Sequence, residues 1–262
     1  MSQPQEGKAA KLRRLHEGKC FLLPNVWTAG GAVHCEKIGY DAIGTTSAGV
    51  AMERGVADGQ AGREHTLRVL GEIVRAVALP VSVDLENGFE DSAEGAASTI
   101  FEACLAGAAG GSLEDATNCP HDPIYPFELA VDRIRAAAAA IRKSGRDFIL
   151  TARAENFLHG RHDLEDTIAR LRAFEAAGAD VLFAPGLPDL ESIRAVRAAV
   201  SKPLNVLMSD QPAAPRFADL AAAGVNRVSI GSRLARAAES AMVREAARLH
   251  AEQSATRGQI GG

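Results

Sequence analysis

PVSVDLENGFEDSAEGAASTIFEACLAGAAGGSLED, residues 80–115, holds one complete strand–helix–strand unit, and its reading decides the fold. The run 80–85 (PVSVDL) is short, apolar and rich in β-branched residues, with a proline at its entry, where a strand tolerates one. Residues 92–107 follow with helical spacing and end in Ala106-Gly107. Glycine is the natural residue just past a helix, because it takes a left-handed backbone without a Cβ clash. A second short run, 110–114 (GGSLE), comes next. Strands separated by a helix pair in parallel through a right-handed crossover.

The same unit repeats in both directions. Strand candidates lie at 20–26 (CFLLPNV), 42–47 (AIGTTS), 80–85, 110–114, 148–153 (FILTAR), 181–185 (VLFAP), 203–208 (PLNVLM) and 227–231 (RVSIG). Helical periodicity marks 63–78, 92–107, 127–144, 163–177, 189–200, 212–222 and 233–252, and Ala-Gly recurs at 177–178 and 223–224. Eight such strands favour a closed (β/α)8 TIM-type barrel over an open doubly wound sheet. No GxGxxG or GxxxxGK[ST] follows any strand, which weakens a nucleotide-binding reading. No Pro/Ser/Gly-rich linker interrupts residues 1–262, so one barrel domain is expected, with a leading helix (Ala9 to His16) and a frayed tail over 254–262.

Composition narrows the function classes. The chain has 262 residues, 47% of them hydrophobic, and a net charge of −4 with both signs intermixed, which argues against nucleic acid and membrane surfaces as partners. No apolar run approaches the roughly 20 residues that span a bilayer. The start, MSQPQEGKAAKLRRLHEG, lacks the apolar core of a signal peptide. Cys20, Cys35, Cys104 and Cys119 show no CxxC spacing and read as reduced thiols, so a soluble cytoplasmic protein is expected.

In a parallel barrel the chemistry lies at the carboxyl ends of the strands. Those ends carry Thr45-Thr46-Ser47-Ala48-Gly49, Asp84-Leu85-Glu86, Glu114-Asp115, Arg153-Ala154-Glu155 and Asn205, with Asp58 in the loop after the second strand. Alternation along a strand turns Asp84 and Glu86 to the same side. Carboxylates converging on one barrel mouth repel one another unless a cation lies between them, and all-oxygen donors suit Mg²⁺, with Mn²⁺ as a substitute. Arg153 would add a fixed positive charge beside a developing anion. Asp115 and Asp163 read as loop anchor and helix cap. His34, His65, His159 and His162 lack ligand spacing and read as solvated, and Val228–Ser232 reads as a glycine turn as readily as a phosphate cradle.

Along nearly its whole length the chain resembles the isocitrate lyase / phosphoenolpyruvate mutase superfamily. The resemblance is carried by LHEGKCFLLPNVWTAGGA, TTSAGVAMERGVADGQ, PVSVDLENGF, GSLED, ILTARAENFL, AGADVLFAPGL, PLNVLM and GVNRVSIGS. It implies a barrel, Mg²⁺ dependence, chemistry on small 2-oxo acids or their enolates, and a homo-oligomer (dimer or tetramer) whose subunits exchange a C-terminal helix. It makes Asp84 the direct metal ligand and gives Asp58, Glu86 and Glu114 the metal's waters. Ser47 and the Ala48-Gly49 backbone would take the substrate carboxylate, Arg153 would steady the enolate, and Asn205 would line the pocket.

The departures bear on the reaction. The lyases' Lys-x-Cys-Gly-His segment is replaced by Ala116–Pro123, where Cys119 and His121 are either a displaced acid or incidental. The mutases' lysine and Asn-Ser pair are also missing there. Thr28 stands where an Asp is usual, Arg153-Ala154-Glu155 where Arg-Thr-Asp is, and Ala184-Pro185-Gly186 replaces the lyases' glutamate. The expectation is an Mg²⁺-dependent lyase-type enzyme working through an enolate by C–C cleavage, decarboxylation or C–P cleavage. The alternatives are a catalytically silent barrel that keeps the pocket, or an Mg²⁺ aldolase of another barrel family.

Overall fold

Pro24 splits the first apolar run, and the split closes the sheet. In the computed structural model, which describes residues 3–117 and 119–260, the single strand expected at 20–26 is two: β1 (Phe21–Leu23) and β2 (Asn25–Val26). Proline has no N–H to give to a ladder, so the chain changes neighbours there. The remaining strands are β3 (Ile43–Thr45), β4 (Val81–Asp84), β5 (Gly110–Glu114), β6 (Ile149–Arg153), β7 (Val181–Phe183), β8 (Leu204–Leu207) and β9 (Arg227–Ser229). Every pairing is parallel, in the order β1-β9-β8-β7-β6-β5-β4-β3-β2, so the sheet runs round a barrel whose seam is Pro24.

Asn25 locks that seam. Its Nδ2 donates to Thr45 O at 2.7 Å, and its Oδ1 accepts from Ile230 N and Gly231 N, each at 3.0 Å. One buried amide thus ties β2 to β3 on one side and to the end of β9 on the other.

Ten helices wrap the barrel among the described residues: α1 (Gln3–Glu17), α2 (Ala29–Ile38), α3 (Ser47–Arg54), α4 (Arg63–Ala76), α5 (Ala93–Ala106), α6 (Phe127–Ser144), α7 (Leu164–Ala177), α8 (Leu190–Ala199), α9 (Phe217–Ala222) and α10 (Arg233–Ile260). The core between them and the strands is apolar and close-fitting, with Leu70, Ile73, Ile100 and Phe174 fully buried. The Ala-Gly punctuation is seen at Gly107, which ends α5 with φ 99°. The leading helix extends beyond 9–16 as α1, whose Ala9 and Leu12 are buried in a cluster with Leu23, Ile149 and Val181.

Three expectations are corrected. Helices α2 and α3 are additional; Gly30-Gly31 and Gly49 blur their periodicity, and α2 forms under the cap that Thr28 Oγ1 supplies to Gly31 N. The helix expected at 212–222 begins only at Phe217, because Pro212 and Pro215 hold the preceding segment out of it. The tail expected to fray from 254 continues α10 to Ile260, and 261–262 lie outside the described residues. No helix among the described residues is long and apolar enough to cross a membrane.

Candidate active site

Because all strands run parallel, their carboxyl ends meet at one mouth, and a cavity of about 250 Å³ opens there. Ser47, Ala48, Asp58, Asp84, Arg153 and Asn205 all border it, as the sequence led us to expect. Glu86 and Glu114 stand behind this wall, and Gly49 does not line the cavity. A Cβ on Gly49 would come within 2.8 Å of Thr46 Cγ2 and 2.9 Å of Trp27 Cβ, so that glycine serves packing of α3 against the chain after β2.

Asp84 is the centre. Ser47 N donates to its Oδ2 at 3.2 Å from the start of α3, while Arg153 Nη1 (3.1 Å), Glu86 N (3.3 Å) and Ser112 Oγ (3.4 Å) approach Oδ1. Its own N–H donates to Thr45 Oγ1 at 2.8 Å. The small residues of 45–49 do bring backbone N–H to an anion; the anion met at Ser47 is the Asp84 carboxylate itself. Strand alternation is not what places Glu86. β4 ends at Asp84, and Glu86 sits in the left-handed region with φ 52°, an uncommon setting for a side-chain-bearing residue and one that concentrates at functional sites.

Arg153 sits within a ring of acid. Nη1 lies 3.0 Å from Glu114 Oε2, Nη2 2.8 Å from Glu155 Oε1, and the guanidinium rests over the Phe183 ring. Burial would lower its pKa, but Glu114, Glu155 and Asp84 outweigh that and raise it, so the charge is permanent. The carboxylates feel the opposite pressure. Burial, then repulsion from Asp84 and Asp58, pushes Glu86 up to about 7 against the pull of Arg153. Burial also raises Glu114 well above the usual carboxylate range, with Arg153 opposing and Glu155, Asp84 and Glu86 adding to it.

Asp115 is the structural anchor expected of it. Its Oδ1 accepts Glu155 N at 2.8 Å and its Oδ2 takes Arg170 Nη1 at 3.0 Å, which ties the exits of β5 and β6 to α7. Asp163 caps α7 by accepting Asp166 N. Cys119 and His121 are exposed and border no part of the cavity, and Asn118, which precedes Cys119, lies outside the described residues. His34, His159 and His162 are exposed as expected, whereas His65 is half-buried and meets Arg68 at 3.0 Å. Sequence reasoning missed Thr45 and Ser112 as partners of Asp84, because hydroxyls in strands read simply as β-formers.

Among the described residues no three His, Cys, Asp or Glu side chains are set to grip a metal ion directly. The donor chemistry nevertheless fits a hard cation held by one carboxylate and otherwise through water. Asp84, Glu114 and Glu155 pair with Arg153, Glu86 lies close enough to feel its charge, Asp58 borders the same cavity, and Glu86 Oε1 is buried with no partner. An orphaned acceptor of that kind is costly unless a water or ion reaches it.

A TIM-type barrel with an acid-ringed arginine at its mouth is the frame of a lyase/mutase-type enzyme, and the comparisons with known proteins agree. The family model described as Phosphoenolpyruvate phosphomutase matches residues 12–250, and the chain belongs to that family within the phosphoenolpyruvate mutase / isocitrate lyase superfamily. A Burkholderia cenocepacia J2315 structure named only as a lyase/mutase is 48% identical, with a TM-score of 0.91 over 95% of this chain and 90% of that one. The 2-methylisocitrate lyase of Escherichia coli K12 is 32% identical over 83% of this chain and 74% of its own. The oxaloacetate decarboxylase of Paraburkholderia xenovorans LB400 is also 32% identical, over 79% and 71%.

Proposed function

We propose that the chain is an Mg²⁺-dependent lyase-type enzyme that acts on a small 2-oxo or 2-hydroxy carboxylate through an enolate. The observation that carries this reading is the arrangement at Asp84: a pre-oriented carboxylate bordering the cavity, beside a permanently charged arginine and a surplus of buried acid. Asp84 would hold the ion directly, and Asp58, Glu86 and Glu114 would hold its waters. When bound, Mg²⁺ supplies Lewis-acid polarisation of the substrate carboxylate and its 2-oxygen.

The chain's own groups do the rest. The first-turn amide of α3 at Ala48, which borders the cavity, has no carbonyl four residues back within the helix, so that end of α3 favours a substrate carboxylate. Arg153 is held by three carboxylates in a fixed place, so its charge stabilises an enolate oxygen without reorganising. Phe183 and Leu158 border the cavity with apolar surface and limit water.

Cys119 and His121 stand away from the cavity, which supports a route needing no acid from that loop. Decarboxylation of an oxaloacetate-like acid is such a route: CO₂ leaves, its bonding pair becomes the enolate, and solvent can return the proton. The fold relatives' C–C and C–P cleavages are the competing readings. The expected result is Mg²⁺-dependent pyruvate formation from oxaloacetate above the solution rate, with no change in the ³¹P spectrum of phosphonopyruvate. Mg²⁺ is also expected to raise the melting temperature of the wild type and not of Asp84→Ala; a shift equal in both would sink the metal assignment.

A further inference from the structure

Arg227 is a buried cation that the chemistry above does not use. It opens β9 at 3% exposure and borders the same cavity as Asp84 and Arg153. Its partners are uncharged. Nε donates to Asn205 Oδ1 at 2.8 Å, Nη2 donates to Thr151 Oγ1 at 3.0 Å, and Nη1 faces His16 Nε2 at 3.4 Å. His16 Nδ1 lies 2.8 Å from Leu12 O, which can only accept, so Nδ1 carries the proton and Nε2 offers a lone pair to the guanidinium.

Arg153 and Arg170 are each paired with carboxylates, whereas Arg227 has none among the described residues. A guanidinium carries five N–H donors, and the three contacts above leave one on Nη1 and one on Nη2. A buried cation without an anion is costly, and the cavity is the side from which an anion can reach it. Thr151 lies two residues before Arg153 on β6, so the two share a face one pleat apart, about 7 Å along the strand. The cavity therefore has positive charge at two levels, comparable in separation to the ends of an extended short diacid.

We propose that Arg227 forms the floor of the ligand cavity and binds a second anionic group there, making it the residue that selects short diacids over monoacids of equal length. The assignment rests on the reading of the upper level as a carboxylate site. It gives Asn205 a definite part as well: with Oδ1 accepting from Arg227 and Nδ2 donating to Ser229 Oγ at 3.0 Å, the amide aims the guanidinium.

Calorimetric titration of the full chain in Mg²⁺ with succinate, butyrate and oxalate tests this, since succinate and butyrate differ only in the distal carboxylate. The wild type is expected to bind succinate at least about tenfold more tightly than butyrate, and Arg227→Gln to erase that difference while oxalate, too short to span both levels, stays within about threefold. Equal affinity of the wild type for succinate and butyrate would overturn the proposal without any variant. So would an Arg227→Gln protein of unchanged melting temperature that keeps the succinate preference. Arg227→Lys is expected to retain part of the preference. Failure of oxalate to bind, with succinate still preferred to butyrate, would count against the metal–enolate reading and leave the floor assignment standing.

Discussion

Asp84 is oriented before any ligand arrives, because an amide, a guanidinium and a hydroxyl already converge on its two oxygens. That pre-orientation rests on the start of α3 lying close, and Gly49 is the residue that allows it. Gly49→Ala is expected to lose about 1–3 kcal/mol in chemical denaturation, through the clash with Thr46 and Trp27. His16 supplies a pH signature of its own. Burial, with help from Arg227, pushes it down to about 3 from the ordinary 6.5. Between those values the unfolded chain binds the proton and the folded one does not, so stability falls as pH drops through that window. The limit is about 4–5 kcal/mol. His16→Gln is expected to flatten this part of the stability–pH curve, and identical curves for the two proteins would refute the buried neutral imidazole. Asp84 and Arg153 were legible in the sequence because strand ends in a parallel barrel are predictable positions, whereas Asp58, in a loop, took its role from the family resemblance alone. Ser112 was not legible, since what makes it a partner of Asp84 is register between β4 and β5 rather than anything in its own segment. Glu155 was legible as a strand-end residue, but its pairing with Arg153, two residues earlier, was not.

At the scale of elements, two polar clamps do more than their size suggests. Asn25 serves β2, β3 and the turn after β9 at once, so Asn25→Ala leaves two N–H groups and a carbonyl without their partner. The expected cost is about 2–4 kcal/mol, measured by denaturation, with the far-ultraviolet dichroism of the folded protein unchanged. Asp115 joins β5, β6 and α7. Asp115→Ala strands the buried Arg170 guanidinium with only Asp166 and the Tyr125 carbonyl, for an expected loss of about 3 kcal/mol. The strand pattern was readable from β-branched runs and their proline entries. The helices that escaped notice, α2 and α3, are rich in glycine and short, and depend on tertiary support rather than on propensity. α9 shows the converse: alanines suggested a longer helix, and two prolines overrule them.

The whole molecule is a barrel with one element left over. From Arg236 to Ser254 every residue of α10 is exposed, and Met242, Val243 and Leu249 project apolar surface at 67%, 56% and 50% exposure. A 28-residue helix is about 42 Å long, far more than its attachment to β2 and α3 requires. Sedimentation is expected to give a dimer or larger, and the double variant Met242→Asp/Leu249→Asp to give a monomer with the barrel's dichroism intact. A monomeric wild type would remove the homo-oligomer from the reading.

The break at Pro24 also sets the timing of folding. β1 waits for β9, so Phe21 must meet Arg227 across most of the chain's length, and contacts so remote in sequence form slowly. During synthesis the strands from β2 to β8 can assemble while the ring is still open, with bare edges at β2 and β8 that invite pairing with other chains. Damage to residues 224–231 is therefore expected to show first as lost soluble yield, before any change in the properties of those molecules that do close.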